Sequence, residues 1–129
     1  MASIIAAVPK PIVVAVDDDA RVRESLESLM DSAGYKTVVF ASAEDCLQSD
    51  ALQRAICVIA DVRMPGMDGI ELQRRIRLQR SQLPIIFISA HYEEEIREEA
   101  LQGGAADFLY KPFDVATLLA AIRQAVGQD

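Results

Sequence analysis

Five short apolar runs recur along the chain: Ile12–Val16, Thr37–Phe40, Ile56–Ala60, Pro84–Ile88 and Ala106–Leu109. Each is apolar on consecutive residues, which predicts a strand covered on both faces. The segments between them have helical period. Val22, Leu26, Leu29, Met30 and Ala33 fall on one helical face, and Gly34 follows as a C′ stop. Val115, Leu118, Leu119, Ile122 and Val126 form a second such face behind Asp114, an N-cap. Ser42 and Asp45 resemble a capping box for a short second helix. Gly69, with Asp68 as N-cap, opens a third helix, and Gly103–Gly104 closes a fourth.

The order is therefore β-α, repeated five times. Parallel strands need crossovers, and these are right-handed. The expected fold class is α/β: a doubly wound, five-stranded parallel sheet with helices on both faces. The common flavodoxin-like strand order is 2-1-3-4-5. In that order the functional crevice lies beyond the carboxyl ends of strands 1 and 3.

Polar residues gather at that rim. Strand 1 runs through "IVVAV" into Asp17, Asp18 and Asp19. Strand 3 ends at Asp61 in "CVIADVRMPGMDG", strand 4 at Ser89 in "IIFISAH", and strand 5 near Lys111 in "DFLYKPF". Two like charges about 4 Å apart repel by roughly 4 kcal/mol at an effective dielectric of about 20. Carboxylates brought together in this way call for a cation. Magnesium accepts one or two carboxylates and keeps several waters. Asp61 is then a candidate nucleophile for a phosphoryl group, and Lys111 a point charge beside it. Ser89 is placed to donate to a phosphoryl oxygen. Chemistry of this kind needs positioning and charge neutralisation.

The bulk numbers set limits. A chain of 129 residues suits one domain. It can bury about 68–70% of its unfolded surface, enough for a core without staples. The formal net charge is −7, from 20 acidic and 13 basic residues. That argues against unaided binding to nucleic acid or to an anionic membrane. Cys46 and Cys57 resemble neither a disulfide framework nor a zinc site, and a reducing cytoplasm is the expected location. Residues 1–11 read as a tail, too short to span a bilayer and lacking the basic start of a signal peptide.

Taken together, "VDDD", "DVRMPGMDG", "ISAH" and "YKPF" resemble a response-regulator receiver domain. The motifs stand in the family's order, with spacings of 44, 28 and 22 residues between Asp17, Asp61, Ser89 and Lys111. The likeness runs from about Ile12 to Val126 and is greatest to receivers of nitrogen-fixation-type regulators with helix-turn-helix outputs. It implies a receiver domain over 12–127, with no output domain in this chain. Asp61 matches the phosphoacceptor, Ser89 the switch hydroxyl and Lys111 the phosphate-pairing lysine. Asp17 and Asp18 match the magnesium-binding acids, with Asp61 and the backbone carbonyl of Arg63 completing that site. Phe108 matches the switch aromatic, which turns inward on phosphorylation. Arg63 and His91 match positions that tune phosphate lifetime, and the Lys111–Pro112 bond is often cis in the family. Serine stands at 89 where threonine is commoner, and phenylalanine at 108 where tyrosine is frequent.

The implied partners are a sensor histidine kinase or phosphotransfer protein, with a homodimer possible on phosphorylation. The implied protein is no enzyme on an outside substrate; it catalyses only its own phosphorylation and dephosphorylation. Its signalling surface is the fourth helix, fifth strand and fifth helix.

Blander readings stand beside these. Asp17–Asp19 suit a helix N-terminus. Asp61 suits a turn before Pro65–Gly66. Lys111 and His91 suit a solvated surface. The run "EEEIREEA" at 93–100 reads as a solvated helix face, with a partner-docking surface as its functional alternative. Met64 and Met67 read as loop anchors. A magnesium-dependent phosphohydrolase on a related sheet would place its two acids two residues apart after strand 1 and carry a cap domain. A flavin or nucleotide carrier would need a phosphate-cradling loop there, where this chain has "DDDARVRES".

Overall fold

The structure is a computed structural model that describes residues 9–127; residues 1–8 of the expected tail lie outside them. The elements run β1 (Ile12–Val16), α1 (Ala20–Ser32), β2 (Lys36–Phe40), α2 (Ala43–Gln48), α3 (Ala51–Arg54), β3 (Ala55–Asp61), α4 (Gly69–Gln79), β4 (Ile85–Ser89), α5 (Glu94–Gln102), β5 (Asp107–Tyr110) and α6 (Val115–Ala125). Short polar side chains set the helix starts. Asp19 accepts the Arg21 N–H at 2.9 Å, Ser42 the Asp45 N–H at 3.1 Å and Asp68 the Glu71 N–H at 2.9 Å. Asp114 accepts the Ala116 N–H at 3.4 Å. Gly34 follows α1 at φ +92°, a conformation that favours glycine.

All strand pairs are parallel and the sheet order is β2-β1-β3-β4-β5, as expected. The pleat divides the core in two. Val14, Val16, Val58, Ala60, Ile85 and Phe87 meet residues of α2 to α5, including Cys46, Leu52, Leu72, Ile76 and Ala100. Val13, Ala15, Cys57, Ile59, Ile86 and Ile88 meet Leu26 and Met30 of α1 and Leu118 and Ile122 of α6. Burying a Val, Leu, Ile, Met or Phe side chain stabilises by about 1.5–3 kcal/mol, and most residues of both halves are of these types.

β3 and β4 end at Asp61 and Ser89, as expected, one residue beyond the apolar runs, and β5 ends at Tyr110. The structure departs from the sequence reading in two places. First, α3 is one turn that the reading left out, so the expected signalling surface becomes α5, β5 and α6. Second, Val115 is 51% exposed. It sits in the first turn of α6 and lines an open groove with Val22 and Pro112, away from the core that takes Leu118 and Ile122.

Cys46 and Cys57 are fully buried, and burial pushes both thiols up to about 12. A thiol held protonated is a poor nucleophile. Neither cysteine should react with a disulfide reagent in the native protein at neutral pH, and both should react in denaturant. Rapid native labelling of either would show that the surrounding core opens readily. Among the described residues no helix is long and apolar enough to cross a membrane.

Candidate functional site

Register and pleat assemble the rim. Val16 pairs with Ala60, so Asp17 and Asp61 stand side by side one position on. Ile88 pairs with Leu109, and the Lys111 N–H donates to the Ser89 carbonyl at 2.7 Å. Asp17, Asp61 and Lys111 share the parity of Ala15, Ile59 and Leu109, the residues that face α1 and α6. Ser89 has the opposite parity, that of Phe87.

Asp17 is 0% exposed and Asp61 7%. Lys111 Nζ lies 3.0 Å from Asp17 Oδ2 and 3.5 Å from Asp61 Oδ2. The sequence pointed to Lys111 as a partner of Asp61, but its shorter contact is to Asp17. Asp17 is the more deeply enclosed of the two, and an unpaired buried carboxylate is the costlier one. Asp17 Oδ1 also accepts the Asp19 N–H at 2.9 Å. Asp61 Oδ1 accepts the Arg63 N–H at 3.3 Å.

One carboxylate oxygen from each of Asp17, Asp18 and Asp61 lies within 4.8 Å of the other two. Asp18 is exposed and forms the open side of this cluster. Burial, and then the charge of Asp17, push the Asp61 carboxyl above the ordinary carboxylate range; Lys111 and the Arg63 amide offset part of the rise. Burial alone would lower Lys111. Its hydrogen bond to Asp17 and the charges of Asp61 and Asp17 outweigh that, so its ammonium sits above the ordinary lysine value. Three carboxylates against one ammonium leave an excess of negative charge. Their all-oxygen donor set fits a hard divalent cation.

The other expected residues surround this cluster. Ser89 is buried, and its hydroxyl is held in a local turn. It donates to the His91 carbonyl and accepts the His91 N–H, both at 3.1 Å. His91 itself is exposed. Phe108 is already inside, 6% exposed, with its ring edge-on to Tyr110 at 5.4 Å and tilted against Phe87 at 6.1 Å. The expected inward turn therefore has no outward ring to start from in this arrangement. Tyr110 also stacks on the exposed Tyr92, with centroids 4.1 Å apart. The Lys111–Pro112 peptide bond is cis.

Two contacts of the loop after Asp61 were not legible in the sequence. The Arg63 guanidinium pairs with Glu93, its Nε donating to Oε1 at 2.8 Å. Glu44 of α2 accepts the Met67 N–H at 3.0 Å. Glu93 belongs to the run read as solvated, and no local spacing marks either partnership. Of the two methionines read as loop anchors, Met64 is buried and Met67 packs partly buried against the core.

Comparisons with known proteins agree with this geometry. The family model described as the response regulator receiver domain matches residues 13–123. The transcriptional regulatory protein FixJ of Bradyrhizobium diazoefficiens is 43% identical over 113 residues, covering 88% of this chain and 55% of that protein. Nodulation protein W of the same organism is 40% identical over 120 residues, covering 93% of this chain and 53% of that protein. The chain thus spans about half the length of these curated relatives. The crystal structure of the Vibrio cholerae chemotaxis protein CheY4 superposes with a TM-score of 0.83 at 30% identity, covering 90% of this chain and 98% of that one. With its strand order, its acidic cluster and these likenesses, the chain belongs to the response regulator receiver domain family of two-component systems.

Proposed function

We propose that residues 12–127 form a phosphorylation switch, that residues 1–11 are a tail ahead of it, and that Asp61 is the phosphoacceptor. The observation that carries this reading is the cluster of Asp17, Asp18 and Asp61, with the Lys111 ammonium against Asp17 and Asp61. Asp17, Asp18, Asp61 and the Arg63 carbonyl would hold Mg2+, which when bound supplies positive charge to offset the phosphoryl oxygens.

A carboxylate oxygen of Asp61 attacks the phosphorus of a phosphohistidine on a sensor histidine kinase or phosphotransfer protein. The new P–O bond forms as the P–N bond breaks, and the imidazole departs with the bonding pair. Lys111 moves from Asp17 toward the incoming group and balances its charge. Ser89 releases the His91 carbonyl and donates a hydrogen bond from its hydroxyl to a phosphoryl oxygen. That exchange reshapes the segment between β4 and α5, so the surface of α5, β5 and α6 differs between the two states. Phe108 backs this segment from inside. Arg63 and His91 flank the phosphate and set its lifetime. A partner, a second copy or an output domain that binds one state better draws the equilibrium to it. The reading places the protein in the cytoplasm. With a net charge of −7, the chain by itself engages neither nucleic acid nor an anionic membrane.

The test is intact-mass analysis after incubation with magnesium and acetyl phosphate, beside Asp61→Asn. One phosphoryl group should add to the parent, and none in chelator or in the variant. Equal addition to Asp61→Asn would remove Asp61 as the acceptor. Turnover of small phosphate esters without a phosphorylated protein would favour the phosphohydrolase reading.

A further inference from the structure

The seven residues from Val62 to Asp68 link Asp61 to α4, and they carry the Arg63 carbonyl. The two ends of this loop are well held. The Gly69 N–H donates to the Val62 carbonyl at 2.8 Å, and Asp68 caps α4. The Met64 side chain is buried in the core. The tip, Pro65–Gly66–Met67, depends on another element. Among the hydrogen bonds of the described residues, one reaches the backbone of this tip from elsewhere: Glu44 Oε2 accepts the Met67 N–H at 3.0 Å.

Gly66 is shaped to admit that carboxylate. Its φ is +75°, and a Cβ built there would stand 2.6 Å from Glu44 Oε2. The carboxylate thus lies against the bare α-carbon of Gly66 while it receives the next residue's amide. That hydrogen bond holds Glu44 below the ordinary carboxylate range. A bond to an ionised acceptor is among the stronger ones a loop can make. On the other side, Arg63 is tied to Glu93 of the segment leading into α5. The loop is therefore held from both flanks, by one glutamate each.

We infer that Glu44 is a positioning residue for the metal and phosphoryl site: it fixes the Gly66–Met67 turn, and through it the backbone at Arg63. This rests on the reading of Asp61, Asp17 and Asp18 given above and adds a residue from a helix that contributes no ligand. Groups that orient ligands from outside a metal site commonly alter affinity by about 10–100-fold. Glu44 acts one step further away, so about fivefold is expected for its loss.

The experiment compares the parent with Glu44→Ala, Glu44→Gln and Gly66→Ala. Magnesium affinity is measured by calorimetry, Met67 amide exchange in the absence of metal, and the rate of phosphoryl addition from acetyl phosphate at low and at saturating magnesium. Glu44→Ala should bind magnesium about fivefold more weakly and exchange the Met67 amide faster. Its phosphorylation should be slow at low magnesium and recover at saturation. Glu44→Gln keeps an oxygen that accepts the amide, and should stay within about twofold of the parent. Gly66→Ala, which displaces the carboxylate, should follow Glu44→Ala. A lowered melting point in Glu44→Ala with parental magnesium affinity would reduce Glu44 to a structural residue and overturn the proposal. A defect in Glu44→Gln equal to that in Glu44→Ala would overturn it too, since charge at a distance would then be the cause. Absence of magnesium binding by the parent would overturn the reading of the site and this inference with it.

Discussion

Gly69→Ala should destabilise the protein by about 3 kcal/mol and disturb phosphorylation as well. Gly69 is the first residue of α4, where the helix starts hard against the end of β3. A Cβ there would stand 2.4 Å from the Asp61 carbonyl oxygen, 2.9 Å from Val62 Cα and 3.0 Å from Phe87 Cε1. The first two atoms belong to the backbone and the third to a fully buried ring, so none yields by rotating a flexible chain end. The helix start must retreat from the strand. Overpacking in a filled core costs about 1–3 kcal/mol, and movement of backbone puts this site at the upper end. A domain stable by about 5–15 kcal/mol loses much of its margin. The retreat also stretches the Gly69 N–H bond to Val62 and shifts Asp61, the proposed phosphoacceptor.

Gly34→Ala is the control. Gly34 has no atom within 4 Å of its would-be Cβ, so alanine there pays only for its φ of +92°, about 1 kcal/mol. Urea midpoints at unchanged slope give the comparison. If Gly69→Ala lost no more than Gly34→Ala, the close approach of α4 to β3 would not be a tight constraint.

Asp61→Asn should remove phosphorylation and, without metal, make the protein more stable at neutral pH than the parent. The sign follows from the direction of the shift. Burial, then the charge of Asp17, raise the Asp61 carboxyl in the folded state. A raised acid holds its proton more tightly folded than unfolded. Its contribution is full below the unfolded value and is lost as pH rises through the folded one. Asparagine has no proton to lose there. The stability of Asp61→Asn relative to the parent should therefore grow from about pH 4 upward and level off once Asp61 is ionised. The lowered carboxylates Glu44, Glu71 and Glu93 work in the opposite sense, but they are present in both proteins and cancel in the difference.

Magnesium should reverse the ranking. A ligand at a hundred times its dissociation constant stabilises the folded state by about 2.7 kcal/mol. The parent should gain that much, and the variant much less because one of three carboxylates is gone. Denaturation curves at pH 4 and pH 7, each with and without magnesium, separate the two effects. A parent no less stable than Asp61→Asn in metal-free buffer at pH 7 would show that Lys111 already neutralises the cluster.

The alternation of apolar runs with helical segments was enough to order the strands, because a parallel sheet with short right-handed crossovers admits few topologies. It also sufficed to bring Asp17, Asp61, Ser89 and Lys111 to one rim, because that order sends the carboxyl ends of all five strands the same way. Helix starts at Asp19, Ser42, Asp68 and Asp114 were readable for the same reason: a cap acts within three residues of its target. What periodicity could not show was which groups touch. Lys111 could have settled on either carboxylate, and the deeper burial of Asp17 decided it. Arg63 met Glu93 thirty positions away, and Met67 met Glu44 twenty-three positions back. Val115 kept the apolar period of its helix and still faced outward, since as the first residue of α6 it stands beside Val22 and Pro112 at an open groove. Phe108 was recognisable as an aromatic of β5, but its place beside Phe87 depends on the pairing of β4 with β5. Periodicity and caps are local properties of a chain. Partner choice and depth of burial are set by how distant elements pack, and the tertiary structure alone decides them.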